Sequence, residues 1–322
     1  MPGPKRTGAR RRGSGGAVVA CVLPLAWLLF AAAAVAGPSL SARDDRGVEV
    51  RLARPPARIV SLAPSLTEIV FLLGAQDRLV GVTRFCNVPP EAARLPRIGG
   101  VVDPDVERIV AARPDLVLCT TDGNPKEKVR ILEESGIPCF AVGPQGLSAV
   151  FGTIERIGTL VGLPERGRRE AESLRNRTAR VSGADPCSAR RPKVLFAVST
   201  SPIIVAGSGT FLDELIRRAG GENAARGYSG RYPRLSTEQL IAASPDLVLL
   251  AAMAGVERFP DSVLRWREIP AFRDDEVHSL DGDLVTRPGP RMVDALEQVA
   301  RILAKWCTRA RPVRRPDEGK AR

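Results

Sequence analysis

A thirteen-residue segment recurs within the chain. VERIVAARPDLVL (106–118) and TEQLIAASPDLVL (237–249) align without a gap at an offset of 131, and eight positions are identical: Glu, Ala, Ala, Pro, Asp, Leu, Val and Leu. Each copy reads as a short helix, a Pro-Asp turn and a fully apolar strand, so one structural unit stands in two places. Two copies are too few for a solenoid, whose stability needs stacked neighbours. They fit a pseudo-symmetric pair of lobes, and the natural ligand site of such a pair is the cleft between them.

The flanking sequence extends the pattern. RIVSLAP (58–64) reads as a strand feeding a helix, with Ser65-Leu66-Thr67-Glu68 as a capping box and Gly74 as the stop. LVGVT (79–83), DLVLC (115–119) and PCFAV (138–142) read as buried strands, separated by helices at 105–112 and 125–134. The second half repeats this order with VLFAVS (194–199), a helix from Phe211 to Ala219, DLVLLAA (246–252), EVHSL (276–280) and a final helix from Pro288 to Trp306. Strands alternating with helices call for parallel sheets covered on both faces. Between the halves, 147–182 is helix-forming almost throughout, broken at Gly162-Leu163-Pro164, and the Arg/Glu-rich stretch Glu165–Val181 reads as a solvated connecting helix. At ~1.5 Å per residue it spans ~25 Å, enough to join two lobes with one stiff element.

A length of 322 residues leaves room for about two domains. Of the net charge of +12, five lie in residues 1–36 and four in 308–322, leaving +3 on 37–307. The nearly balanced body removes the main support for a nucleic-acid partner. Lys5, Arg6, Arg10, Arg11 and Arg12 precede an apolar run from Ala17 to Ala36 that ends in Ala34-Val35-Ala36, which reads as a cleaved secretory signal over 1–36. The alternative is an uncleaved membrane anchor with its basic flank inside. Five cysteines follow the signal, so at least one is unpaired. Cys187 precedes the first strand of the second half and Cys307 ends its last helix, so a bridge between them would tie that lobe's ends together. The domain reading is a linker at 37–57, a first lobe at 58–146, a connecting segment at 147–185, a second lobe at 186–307 and a basic tail at 308–322.

Taken in order, RIVSLAPSLTEIVFLLGA, GVTRFCNVPPEA, DPDVERIVAARPDLVL, DGNPKEKV, AGGEN, LSTEQLIAASPDLVL and RPGPRM resemble the ABC-transporter periplasmic substrate-binding proteins of the single-long-helix class, the receptors for cobalamin, haem and ferric siderophores. The resemblance covers roughly 57–307. FCNVPPEA, the DGN turn and the Asp283 to Arg287 spacing are most similar to the cobalamin-binding branch. It implies two Rossmann-like α/β lobes, with central sheets flanked by helices, joined by one long connecting helix. It also implies a monomeric, non-enzymatic periplasmic protein without a cofactor of its own, delivering a corrinoid to an ABC permease dimer in the inner membrane. Carried over residue by residue, the ligand would meet Pro64, Ser65, Phe85, Thr120, Tyr232, Asp283 and Arg287, while Glu107 and Glu238 would dock onto permease arginines. The repeat holds these two glutamates in register, and each falls in the first turn of its helix, where a carboxylate is also favoured locally.

The sequence departs from the branch by placing Val101, Thr120 and Ile204 where aromatic residues often line the cleft. Two other ligand classes therefore stand beside the corrinoid. A haem receptor would draw an axial ligand from Tyr228, Tyr232 or His278. A siderophore receptor would recruit cations such as Arg84, Arg231, Arg234, Arg287 and Arg291. An enzyme is disfavoured: with a single histidine there is no nucleophile, base and orienter set, and GxxxxGK[ST] is absent. No cysteine and histidine spacing points to a metal site. A ligand-free scaffold would share the fold.

Overall fold

The computed structural model describes residues 40–143, 145–184, 186–188, 190–253, 259–264 and 266–309. The signal segment 1–36 lies outside these residues, as does the tail beyond Arg309, to which the last helix extends.

The first lobe opens with a hairpin of β1 (Leu40–Arg43) and β2 (Glu49–Leu52). It stands inside 37–57, which the sequence reads as a linker, because four-residue strands around a polar turn leave little periodic signal. Asp44 organises the turn by accepting the backbone N–H groups of Arg46 and Val48, while Val50 and Leu52 point into the core. Next come β3 (Ile59–Ser61), α1 (Pro64–Leu72), β4 (Leu79–Val82), α2 (Val106–Ala111), β5 (Leu116–Thr120), α3 (Lys126–Glu134) and β6 (Cys139–Val142). The sheet runs β4-β3-β5-β6 with every pair parallel.

The capping box expected at Ser65 to Glu68 does not form. Pro64, with its fixed φ and no N–H to satisfy, starts α1 instead, and the N-cap is Ala63 without a side-chain bond. Ser65 thus lies inside the helix, and Glu68 is turned inward and buried.

Two helices lead to the second lobe, α4 (Leu147–Leu160) and α5 (Pro164–Ala184). The chain reverses at Gly162, whose φ of +76° is one an L side chain rarely adopts. The helices then pack so closely that a Cβ on Gly158 would stand 2.9 Å from the Gly167 Cα. α4 is largely buried, whereas α5 buries only Gly167, Ala171, Leu174 and Thr178. α5 is the strut. Near its start Arg166 donates to the Leu72 carbonyl at 3.1 Å, and two-thirds along it Arg177 reaches Asp294 and Glu297 at 2.6 and 2.9 Å in the second lobe.

That lobe contains β7 (Lys193–Thr200), β8 (Ile203–Val205), α6 (Phe211–Arg218), β9 (Glu222–Asn223), α7 (Thr237–Ala243), β10 (Leu247–Ala252), α8 (Asp261–Leu264), α9 (Pro270–Arg273), β11 (Val277–Asp281), α10 (Gly282–Thr286) and α11 (Met292–Arg309). Its sheet runs β11-β10-β7-β8, with β9 also on β7, and only β8 is antiparallel. A disulfide joins Cys187 to Cys307, with Cα atoms 5.5 Å apart, and Cys86, Cys119 and Cys139 are free thiols in the core.

The repeat is structural as well as sequential. Asp105 and Ser236 cap α2 and α7 by accepting N–H groups three residues on. Arg113 and Ser244, again 131 apart, end the helices at φ of +45° and +43°. Asp115 accepts from the backbone of Ala57 and Arg58, and Asp246 from Lys193, so each aspartate fastens its strand to the start of the neighbouring one. Alternate residues of the strands feed opposite faces. Leu116 and Leu118, with Leu247 and Leu249, enter one continuous core that spans both lobes; Val117 and Cys119 pack on the far face of the first sheet, and Val248 and Leu250 on that of the second. Burial on both faces explains the unbroken apolar runs.

Candidate functional site

Between the lobes lies a hollow of about 400 Å³, open to solvent. The first-lobe side supplies Asp122, from the turn after β5, with Gln145 and Gly146 at the entry to α4; the second supplies Phe211, Arg231 and Tyr232, with Thr286 and Pro288 flanking Arg287. Phe211 and Tyr232 give apolar walls. Asp122, Gln145 and Arg231 give the polar groups, and Gln145 reaches Asp122 only at 3.4 Å. Partial burial raises the Tyr232 phenol above its ordinary pKa of 10, so it stays a neutral hydroxyl. Larger hollows of about 740 and 800 Å³ lie along α5 and beside the α1–β4 turn. The interlobe hollow is smaller, but it alone of these three draws its walls from both lobes.

Arg287 turns away from the hollow into a polar clasp across the seam. Its guanidinium pairs with Asp283 at 2.6 Å and donates to the Asn87 side-chain oxygen at 2.7 Å, while the Asn87 amide donates to Asp283 at 3.0 Å. Asn87 comes from the loop after β4, so one amide bridges the lobes to both members of an ion pair. Glu68 of α1 faces the same cluster. It is 6% exposed, and Arg287 and Arg291 stand 3.9 and 3.8 Å from its carboxylate, too far for hydrogen bonds. Neither carboxylate oxygen has a hydrogen-bond partner among the described residues. Burial outweighs the two arginines and pushes the Glu68 carboxyl up to about 7 from 4.5, with Asp283 and Asp294 adding to the rise. Pro288 and Pro290 shape the segment: proline disfavours helix for the residue before it, and Arg287 is extended at φ −99°, ψ 112°. The last helix therefore begins at Met292, four residues later than the sequence suggests.

The carried-over residues divide accordingly. Tyr232 lines the hollow, and Asp283 with Arg287 forms the clasp. Ser65 lies on the seam: a Cβ on Gly289 would meet its Cβ at 3.0 Å. Pro64 is buried in the first turn of α1. Phe85 is 46% exposed on its loop, with the Arg84 guanidinium 4.9 Å from its ring centre. Thr120 shapes the following turn, its N–H donating to Asn124 and its hydroxyl accepting from Asp122 N–H. Of the alternative haem ligands, Tyr228 donates to the Gln239 carbonyl and His278 pairs with Glu276 at 2.8 Å in β11, both outside the hollow's lining. Sequence reasoning missed Glu68, Asn87, Asp122 and Gln145. Asn87 stood within FCNVPPEA, and Glu68 was assigned to a cap.

Two α/β lobes on a helical strut, meeting over an open hollow with a few polar groups on apolar walls, have the architecture of a solute-binding protein. The comparisons agree. Residues 59–284 match the periplasmic binding protein family. The Vitamin B12-binding protein of Vibrio parahaemolyticus is 29% identical over 247 residues, 76% of this chain and 88% of that relative. An uncharacterized ABC transporter substrate-binding lipoprotein of Bacillus subtilis, YvrC, is 30% identical over 264 residues, 80% and 83% of the two chains. Among solved structures, the periplasmic vitamin B12 binding protein BtuF of Vibrio cholerae aligns with a TM-score of 0.69 at 28% identity, covering 79% of this chain and 99% of that one. The periplasmic heme-binding protein RhuT of Roseiflexus aligns at 0.71 and 30%, covering 78% and 98%. The chain belongs to the periplasmic binding protein family, whose members bind solutes without transforming them. No helix among the described residues is long and apolar enough to cross a membrane.

Proposed function

We propose that this protein is exported by the segment 1–36, takes a corrinoid into the interlobe hollow and delivers it to an ABC importer, where Glu107 and Glu238 meet a permease dimer. The observation that carries this reading is the hollow itself, built from both lobes and continuous through Thr286–Pro288 with the clasp. The relatives whose names specify vitamin B12 favour the corrinoid. Phe211 and Tyr232 suit the faces of a macrocycle, and Asp122, Gln145 and Arg231 suit an amide fringe that both donates and accepts.

At about 400 Å³ the hollow is at the small end of ligand sites, which run ~300–1,000 Å³, so a corrinoid enters fully only if the seam opens. Asp283 and Arg287 satisfy each other and Asn87 in the closed clasp, and their polar groups become available to a ligand when it parts. Pro64, Ser65, Phe85 and Thr120 then act as the rim around the guest. A second reading, haem, is favoured by two observations: the Tyr232 phenol lines the hollow, and haem-binding proteins are among the structural neighbours.

Cyanocobalamin titrated calorimetrically against wild type, Tyr232→Ala and Arg231→Ala tests the assignment. Each variant should weaken binding by about 1–2 kcal/mol. Unchanged affinity in both places the corrinoid elsewhere, and binding of haemin alone, lost in Tyr232→Phe, establishes the second reading.

A further inference from the structure

The two repeat helices share more than their glutamates. One turn beyond each acid stands a bare aliphatic side chain: Val110, 41% exposed, follows Glu107, and Ile241, 38% exposed, follows Glu238. Eight large hydrophobic residues are exposed among the described residues, and this is the only pair separated by the repeat offset of 131. Ile109 and Leu240, their neighbours, are fully buried, so each helix is anchored without the exposed residue. Folding gives no reason for that residue to be apolar and β-branched, since such side chains favour a solvated helix less than Lys, Gln or Ala do.

The glutamates beside them are uncommitted. Glu107 makes no hydrogen bond or ion pair with a described residue, while Glu238 accepts from the Ser236 hydroxyl at 2.7 Å and has no cationic partner among the described residues. That bond holds its carboxyl below the ordinary value, so it is ionised near neutral pH. Residues at i and i+3 of a helix have Cβ atoms about 5–6 Å apart. Each lobe therefore presents an anion without an ion-pair partner and an apolar knob side by side, so that an aliphatic contact made there would exclude water from the neighbouring charged one.

We propose that Val110 and Ile241 are the apolar anchors of two matched docking knobs, each seating in a small apolar recess beside a cation on a two-fold-symmetric membrane permease. This rests on the docking role given above to Glu107 and Glu238. The pseudo-symmetric pair suits a partner that offers the same recess twice. The division of labour follows from physics. Exposed charges steer encounter and respond to salt, whereas desolvated aliphatic contacts slow dissociation.

The tagged wild-type protein is used to capture its importer from native membranes. The captured complex is identified by mass spectrometry as a permease and ATPase assembly, placed in nanodiscs and presented to each variant by biolayer interferometry. Val110→Ser with Ile241→Ser should raise the dissociation rate about 10-fold with the association rate unchanged. Glu107→Gln with Glu238→Gln should lower the association rate and flatten its salt dependence, and Ile131→Ser, an exposed aliphatic on α3, should change neither. Thermal melting shows that each variant is folded. If the glutamate variant fails and the aliphatic variant binds like wild type, the anchors are refuted while docking by the glutamates stands. If neither fails, or no permease and ATPase assembly is captured, both readings fall. Self-association of the wild type, abolished by the aliphatic variant in sedimentation, would assign the knobs to a second copy and overturn the proposal.

Discussion

Replacing Glu68 by glutamine tests whether the seam holds a proton. The carboxyl is buried against Arg287 and Arg291 without a hydrogen bond, and its pKa rises to about 7 from an ordinary 4.5. Between those values the folded protein keeps a proton that the unfolded chain releases. The resulting stability is fully present below pH 4.5 and is lost as pH rises through 7. At ~1.36 kcal/mol per unit, the shift corresponds to about 3 kcal/mol, already net of the attraction of both arginines. Glutamine keeps the shape and stays neutral at every pH. The difference in stability, Glu68→Gln minus wild type, should therefore be within about 1 kcal/mol at pH 5 and reach about 3 kcal/mol in favour of the variant at pH 8. Titrating groups distant from Glu68 cancel in that difference. Thermal melts at the two pH values read it directly, as a separation of roughly 5–10 °C at pH 8 for a chain of this size. A separation that is the same at both pH values refutes the reasoning. So does a variant less stable than wild type at pH 8, which would mean that Glu68 is charged and satisfied in the fold.

The other contacts are testable in the same way. Asn87→Ala removes both amide bonds across the seam, and hydrogen exchange in 84–88 and 282–288 should quicken several-fold while the strands stay protected; unchanged exchange would mean that the amide does not hold the lobes. Cys307→Ala opens a bridge spanning 120 residues of sequence, and chain entropy puts an upper bound of about 5 kcal/mol on its contribution. Melting should fall by roughly 10 °C, and an unmoved transition would show that the bridge does not constrain the unfolded chain.

The architecture was legible because the repeat obeys local rules. PDLVL in both copies carries an aspartate that fastens the neighbouring strand and an apolar run buried on both faces, so strand type and lobe duplication could be read without knowing the partners. The hairpin at 40–52 was not legible, since its strands are short and held by packing on α4 and by the Arg156 to Asp45 pair. The site was legible in part. Tyr232, Asp283 and Arg287 came from alignment, whereas Asn87 and Glu68 acquire their roles only when the second lobe arrives. Glu68 shows the reason most plainly: a Ser-x-x-Glu spacing is a valid local cap, but Pro64 takes over the start of the helix and the glutamate is drawn to the seam.

The central claim is that the interlobe hollow is a binding site for a corrinoid. Calorimetric titration of the protein beginning at Gly37 with cyanocobalamin, haemin and a ferric siderophore in parallel tests it most directly. Saturable heat is expected with cyanocobalamin at one site per chain and none with the siderophore. Saturable binding of the siderophore alone, or of none of the three, would contradict it.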